Sequence, residues 1–190
     1  MQVADADSPK QRLLSAVIAH IQRSGITNLS LRELASAIRT SHRMLLYHFG
    51  SREGLMVAVV HAVEDQQRAF LADLIESSPL AARNDVMRTM WQRLANPHLW
   101  PNERLFFELY VAALHERPGT AGMLDDIVEA WVRPMVVFAR ERGLDVELAE
   151  TDTRLGVAVV RGLLLDLLAT RDRAAVDRAF ERYLALLPPI

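Results

Sequence analysis

Between residues 40 and 55 the chain reads TSHRMLLYHFGSREGL, a short run that holds two histidines, two arginines and a tyrosine among large apolar residues. Such side chains support two kinds of chemistry. Histidines at suitable spacing bind metals or move protons. Arginine, histidine and tyrosine beside apolar groups contact the base edges and phosphates of nucleic acid. The spacing disfavours the first kind. The six histidines form no His-Glu-x-x-His and no Glu-x-x-His pair, and no serine sits in a Gly-x-Ser-x-Gly elbow. His42 and His48 are six positions apart, so on a helix they point in different directions. The absence of cysteine excludes disulfides and thiolate ligands. No catalytic residue, metal site or cofactor is expected.

The second kind fits residue by residue. Arg43 is suited to guanine O6 and N7 through two hydrogen bonds, His42 to a base edge, and Met44 to a thymine methyl. Tyr47 can bond a phosphate while its ring packs on sugar. Ser51 and Arg52 open the next helix, whose free backbone N–H groups suit a phosphate. Ser30 is placed in the same way at an earlier helix start, with Arg32 after it.

Charge agrees. Residues 8–55 carry seven basic groups (Lys10, Arg12, Arg23, Arg32, Arg39, Arg43, Arg52) and two acidic ones (Glu33, Glu53), a net of +5. The whole chain has a formal charge of −2. A basic N-terminal third on an acidic protein suggests a polyanionic partner for that third.

These side chains need helices to position them, and helix is what the pattern predicts. No alternating strand run or hairpin dipeptide is present. Ser8, Pro9 and Gln11 mark a helix start, with Leu13, Leu14, Val17, Ile18 and Ile21 on one face and Gly25 at its end. Ser30 and Glu33 form a second capping box, ahead of Leu31, Leu34, Ala35 and Ile38. A third helix covers about 41–48. Leu45 and Phe49 share its anchoring face, and Arg43, Met44 and Tyr47 point the other way. Two short helices with about three residues between them have helix-turn-helix size. Gly50 breaks the chain, and Ser51 caps a fourth helix over 52–76. Further helices are expected at 81–95, 102–116, 121–142, 147–170 and 173–187, after breaks such as Ser77-Ser78-Pro79 and before the tail LLPPI. Pro134 should kink or divide the seventh.

At this point the residues carry a family likeness. LLSAVIAHIQRSGITNLSLRELASAI followed by TSHRMLLYHFGSREGL resembles the N-terminal domain of the TetR family of bacterial transcriptional regulators. The most specific part is YHFGSREGL, which opens the fourth helix. The resemblance covers residues 10–60. The rest is similar only in the number and length of its helices. It implies an all-α fold, with an N-terminal three-helix domain containing the helix-turn-helix and a larger C-terminal helical bundle, about nine helices in total. It also implies that Ser30, Arg32, His42, Arg43, Met44, Tyr47, His48 and Arg52 fall on DNA-contacting positions. One departure stands out. Arg39-Thr40 occupies the turn where family members usually have glycine and a small apolar residue. A non-glycine residue in left-handed conformation there costs roughly 1 kcal/mol.

The domain layout expected is a leader at 1–7, a DNA-binding domain at 8–52, and a ligand-binding and dimerisation domain at 53–190. In such regulators the C-terminal part binds a small effector and forms a homodimer. The ligand is expected to be apolar or aromatic, with Met87, Trp91, Phe106, Glu108, Tyr110 and Trp131 as candidate pocket residues. Glu108 draws notice because a carboxylate inside RLFFELYVAAL needs a partner or a ligand, unless it sits on the solvent face of the sixth helix. For the dimer, Ala158, Gly162, Leu165 and Ala169 fall on one stripe of the eighth helix, and Phe180 and Leu184 lie on the last. The function expected is a repressor that binds a palindromic operator as a dimer and is released by its ligand. A helical enzyme, or an adaptor that binds protein, is the alternative. The start MQVADADSPKQ has no apolar core, and LGVAVVRGLLLDLLA at 155–169 is too short and too charged to span a bilayer, so the expected compartment is the cytoplasm.

Overall fold

The computed structural model describes residues 8–24, 30–77 and 82–187. Among them every long element is helical: α1 (Pro9–Ser24), α2 (Leu31–Ala37), α3 (His42–Phe49), α4 (Arg52–Ser77), α5 (Arg83–Leu94), α6 (Trp100–Leu114), α7 (Glu129–Glu141), α8 (Val146–Thr170) and α9 (Arg173–Leu184), with one 3-10 turn at Pro97–Leu99. The all-α class and its N-terminal helix-turn-helix, formed by α2 and α3, are as the sequence implies. The leader 1–7, Gly25, Ser78-Pro79 and Pro188-Pro189-Ile190 lie outside the described residues.

The chain forms two compact units. The first takes residues 1–65 and 101–125, so it holds α1–α3, the start of α4 and nearly all of α6. The second takes residues 66–100 and 126–190, with the rest of α4, α5 and α7–α9.

Local chemistry accounts for the helix starts. The Ser8 hydroxyl accepts from Gln11 N–H at 3.2 Å, with Pro9 in the first turn. Ser30 and Glu33 satisfy each other's backbone N–H groups at 2.7 and 3.3 Å, a complete capping box. Ser30 holds the Glu33 carboxyl below the usual range, first through its side chain and then through its backbone. Ser41 caps α3 by accepting from Met44 N–H at 3.1 Å. Asp145 and Asp172 cap α8 and α9.

The seventh helix differs from expectation. It begins at Glu129 rather than near 121. Gly122 (φ 77°) and Asp126 (φ 57°) take left-handed backbone, which ends each attempted turn before a regular helix can propagate. Pro134 lies inside α7 without dividing it, and the helix continues to Glu141.

In the second unit α8 packs against both α7 and α9. Trp91 stacks on Phe180 with ring centroids 4.9 Å apart, and its indole N–H donates to Asp177 at 2.7 Å. Arg83 is buried and bonds Asp152 at 3.3 Å. Tyr183 is buried beside Gly156, where an added Cβ would lie 3.1 Å from its hydroxyl. Among the described residues that hydroxyl has no hydrogen-bond partner. Burial pushes the phenol above its ordinary value of 10.0; the charge of Asp152 adds to the rise and that of Arg83 opposes it.

Tyr183→Phe removes a buried unsatisfied hydroxyl and should therefore raise the unfolding free energy by about 1 kcal/mol. The phenol's raised value means that its contribution is complete below its unfolded pKa and lost as pH rises through the folded one. Chemical denaturation from neutral to strongly alkaline pH should show the wild type losing stability more steeply than the variant. A less stable variant would show that the hydroxyl is satisfied.

Candidate nucleic-acid interface

The α2–α3 turn is closed by Arg39, which takes φ 57°. Arg39 N–H bonds the Ser36 carbonyl at 3.1 Å and Thr40 N–H the Ala35 carbonyl at 2.8 Å, the Schellman pattern that glycine normally supports. The chain thus makes the expected turn without the expected glycine. At the far end of α3, Gly50 takes φ 76°. Gly54 then allows the first turn of α4 to pass close to α3, since an added Cβ would fall 2.4 Å from the Phe49 carbonyl oxygen. Ser51 completes the junction by accepting from Gly54 N–H at 2.9 Å.

These constraints leave α3 with two unlike faces. Leu45 is 0% exposed and is the helix's only buried residue. Phe49, the other expected anchor, is half-buried, and the Lys10 ammonium stands 5.6 Å from its ring centroid. Nothing in the spacing of α1 and α3 announced that contact. Opposite them, Tyr47 is 80% exposed, Met44 and Leu46 are 39% exposed, and Arg43 is exposed. His42 is half-buried at the N-terminal end of the helix.

His48 sits between the two faces. Its ring lies edge-on to Tyr47 at 4.9 Å and to Phe49 at 6.2 Å, and its Nε2 is buried without a partner among the described residues. Ser30 and Arg32 are exposed at the start of α2, while Ser51 and Arg52 are half-buried at the start of α4. All nine candidate DNA contacts thus belong to the first unit, on α2, α3 and the two helix starts that flank them.

The candidate pocket residues are shared between the two units. Met87, Trp91 and Trp131 belong to the second unit, and Phe106, Glu108 and Tyr110 to the first. Trp91 is engaged with Phe180 and Asp177, and Glu108 is exposed. Of the two settings open to Glu108, the structure gives it the solvent face of α6. Phe106 alone of the six lines the cavity between α4 and α6, together with Glu64, Asn102 and Glu103, which the sequence reading had not singled out. Asn102 and Glu103 lie in the first turn of α6, where polar residues ordinarily serve the helix N-terminus, so their burial had no local signal.

On α8, Ala158, Gly162, Leu165 and Ala169 are all exposed, and Leu155 is exposed on the same stripe. The expectation for the last helix fails. Phe180 and Leu184 are 1% and 0% exposed within the chain, so they have no surface left to give to a partner.

Residues 13–59 match the sequence family described as bacterial regulatory proteins, tetR family. No curated protein matches the chain. Among solved structures, the chain is similar to a TetR transcriptional regulator from Legionella pneumophila (20% identity, 97% of this chain and 100% of that one, TM-score 0.73). It is also similar to a transcriptional regulator from Rhodococcus sp. Rha1 (18% identity, 94% and 95% covered, TM-score 0.74). A third is the multidrug binding protein EbrR complexed with imidazole (26% identity, 95% and 92% covered, TM-score 0.61). The resemblance expected from YHFGSREGL is therefore found in sequence over the N-terminal part and in fold over nearly the whole chain.

Arg39→Gly should relieve the left-handed strain and raise stability by up to about 1 kcal/mol, less the greater unfolded-state entropy of glycine. Urea denaturation measures this. A loss of stability would mean that the arginine side chain holds the turn by contacts that outweigh its backbone strain.

Proposed function

We propose that this chain, a TetR-type fold whose residues 13–59 match the tetR family of bacterial regulatory proteins, is a ligand-responsive transcriptional regulator that binds a palindromic operator as a homodimer. The structures from Legionella pneumophila and Rhodococcus sp. Rha1 that share its fold are described as transcriptional regulators. The observation that carries the reading is the division of α3. Leu45 seats the helix, and the other side leaves Tyr47 80% exposed with Arg43 and Met44 beside it. A large aromatic left this open next to an arginine buries little of its surface in a protomer, but it suits a groove of duplex DNA.

In this reading Arg43 and Met44 contact base edges, with His42 at the leading end. Tyr47 with Arg32 and Arg52 holds the backbone, and Ser30 and Ser51 add helix N-termini to the phosphates. His48 serves as a buttress between Tyr47 and Phe49. The reading as a repressor released by an effector draws support from EbrR, which is described as multidrug binding and was solved with imidazole and with proflavin. An effector can shift the protein only by its differential affinity for the DNA-bound and free states. The division into a DNA-binding domain at 8–52 and a ligand and dimer domain at 53–190 is part of the same proposal.

For the dimer, the open stripe on α8 supports a two-fold helix pairing. Gly162 has nothing within 4 Å of the place a Cβ would take, so the protomer itself makes no use of the missing side chain. A neighbouring helix that approaches closely would.

Two measurements test the reading. A duplex selected from a random library by the wild type should lose about tenfold to hundredfold in affinity with Arg43→Ala, and a smaller amount with Tyr47→Ala, which removes a phosphate bond. Unchanged affinity in both variants would remove α3 from the interface. Sedimentation of Gly162→Glu should show monomers with full helical content, whereas an undiminished dimer would place the interface elsewhere.

A further inference from the structure

The first unit contains a cavity of about 10 Å³ lined by α4 and α6. Val60, Leu105 and Phe106 form apolar walls, and three polar side chains interrupt them: Glu64, Asn102 and Glu103. All three are buried, with Asn102 at 3% and Glu103 at 5% exposure. Glu64 and Glu103 have other interactions within the chain. Asn102 differs. Both its Oδ1 and its Nδ2 are buried without a hydrogen-bond partner among the described residues. A carboxamide that leaves every bond unmade is costly, and a helix start offers many residues that would avoid the cost.

We propose that this cavity is the effector site and that its ligand is a small organic cation, a protonated amine on an apolar or aromatic body. The inference rests on the ligand-responsive reading above and adds the chemistry of the ligand to it. An ammonium carries three donors and no acceptor. It can give one hydrogen to Asn102 Oδ1 and meet the negative charge of Glu64 and Glu103, while Nδ2 bonds a water or an oxygen of the ligand. An anion would face two carboxylates, with no basic residue among those that line the cavity. A metal ion fits less well, because among the described residues no three His, Cys, Asp or Glu side chains are arranged to hold one.

Size links the site to the switch. About 10 Å³ admits a single water-sized group, so an ammonium head fits but the body behind it requires α4 and α6 to move apart. The α4 residues that line the cavity, Val59, Val60, Val63 and Glu64, lie about two to three and a half turns beyond Ser51-Arg52 on the same helix and in the same unit as α3. A ligand that binds only the opened form therefore acts on the helix that carries the DNA-contacting end, and its differential affinity sets the size of the effect.

The test uses the full chain without DNA and three matched probes: benzylamine at neutral pH, benzyl alcohol and benzoate. Calorimetric titration should show benzylammonium binding at least tenfold more tightly than the other two. Asn102→Leu and Glu103→Gln should each weaken it at least tenfold. Asn102→Leu should unfold as cooperatively as the wild type, because it removes only unmade hydrogen bonds. Equal binding of the three probes, undiminished binding by both folded variants, or no binding at millimolar benzylammonium would overturn the assignment, the last leaving an ordered water only at Asn102. Duplex binding by the wild type is measured separately. Its failure sinks the regulator reading whatever the probes do, and its success alongside probe failure sinks only this site.

Discussion

The burial of Leu45 is the interaction on which the first unit's function depends. An eight-residue helix has no stability of its own in water. It persists only if one face is held while the other is left free. Complete burial of one leucine contributes about 1.5–3 kcal/mol, which offsets part of the cost of ordering two turns beside the helix hydrogen bonds and the caps at both ends. Ser41 and Gly50 supply those ends. The helix can then show Arg43, Met44 and Tyr47 to solvent without any of them contributing to the core.

The ends of α3 fix its direction as firmly as Leu45 fixes its depth. At one end Arg39 accepts left-handed backbone so that the chain can reverse after α2. At the other, Gly50 and Gly54 let α4 start within van der Waals contact of the Phe49 carbonyl. The exposed side chains of α3 and the start of α4 therefore meet at one close-packed corner. The proposed effector site lies farther along α4 in the same unit, and the helix runs unbroken between the two.

Much of this was legible in the sequence because it is local chemistry. Capping boxes, the apolar period of α1 and α2, and the break at Gly50-Ser51 each involve residues within four positions of one another. What could not be read depended on distant chain. Glu108 and Glu103 lie on the same helix, yet the first is exposed and the second buried. Only the packing of α6 against the rest of its unit distinguishes them. Phe180 and Leu184 have an apolar period suited equally to a core or to a partner, and Trp91, far away in sequence, claims Phe180 for the core. The late start of α7 follows from left-handed backbone at Asp126, a residue type that gives no clear warning of that conformation.

In the proposed complex the open face of α3 enters the major groove twice, once from each protomer. Guanine N7 lies in that groove and is open to methylation when unprotected. Methylation protection on a selected duplex reads that contact at each guanine. Two protected patches centred about one helical turn apart on the same face of the duplex are predicted. A bound complex in which guanine N7 remains fully reactive throughout the site would contradict it.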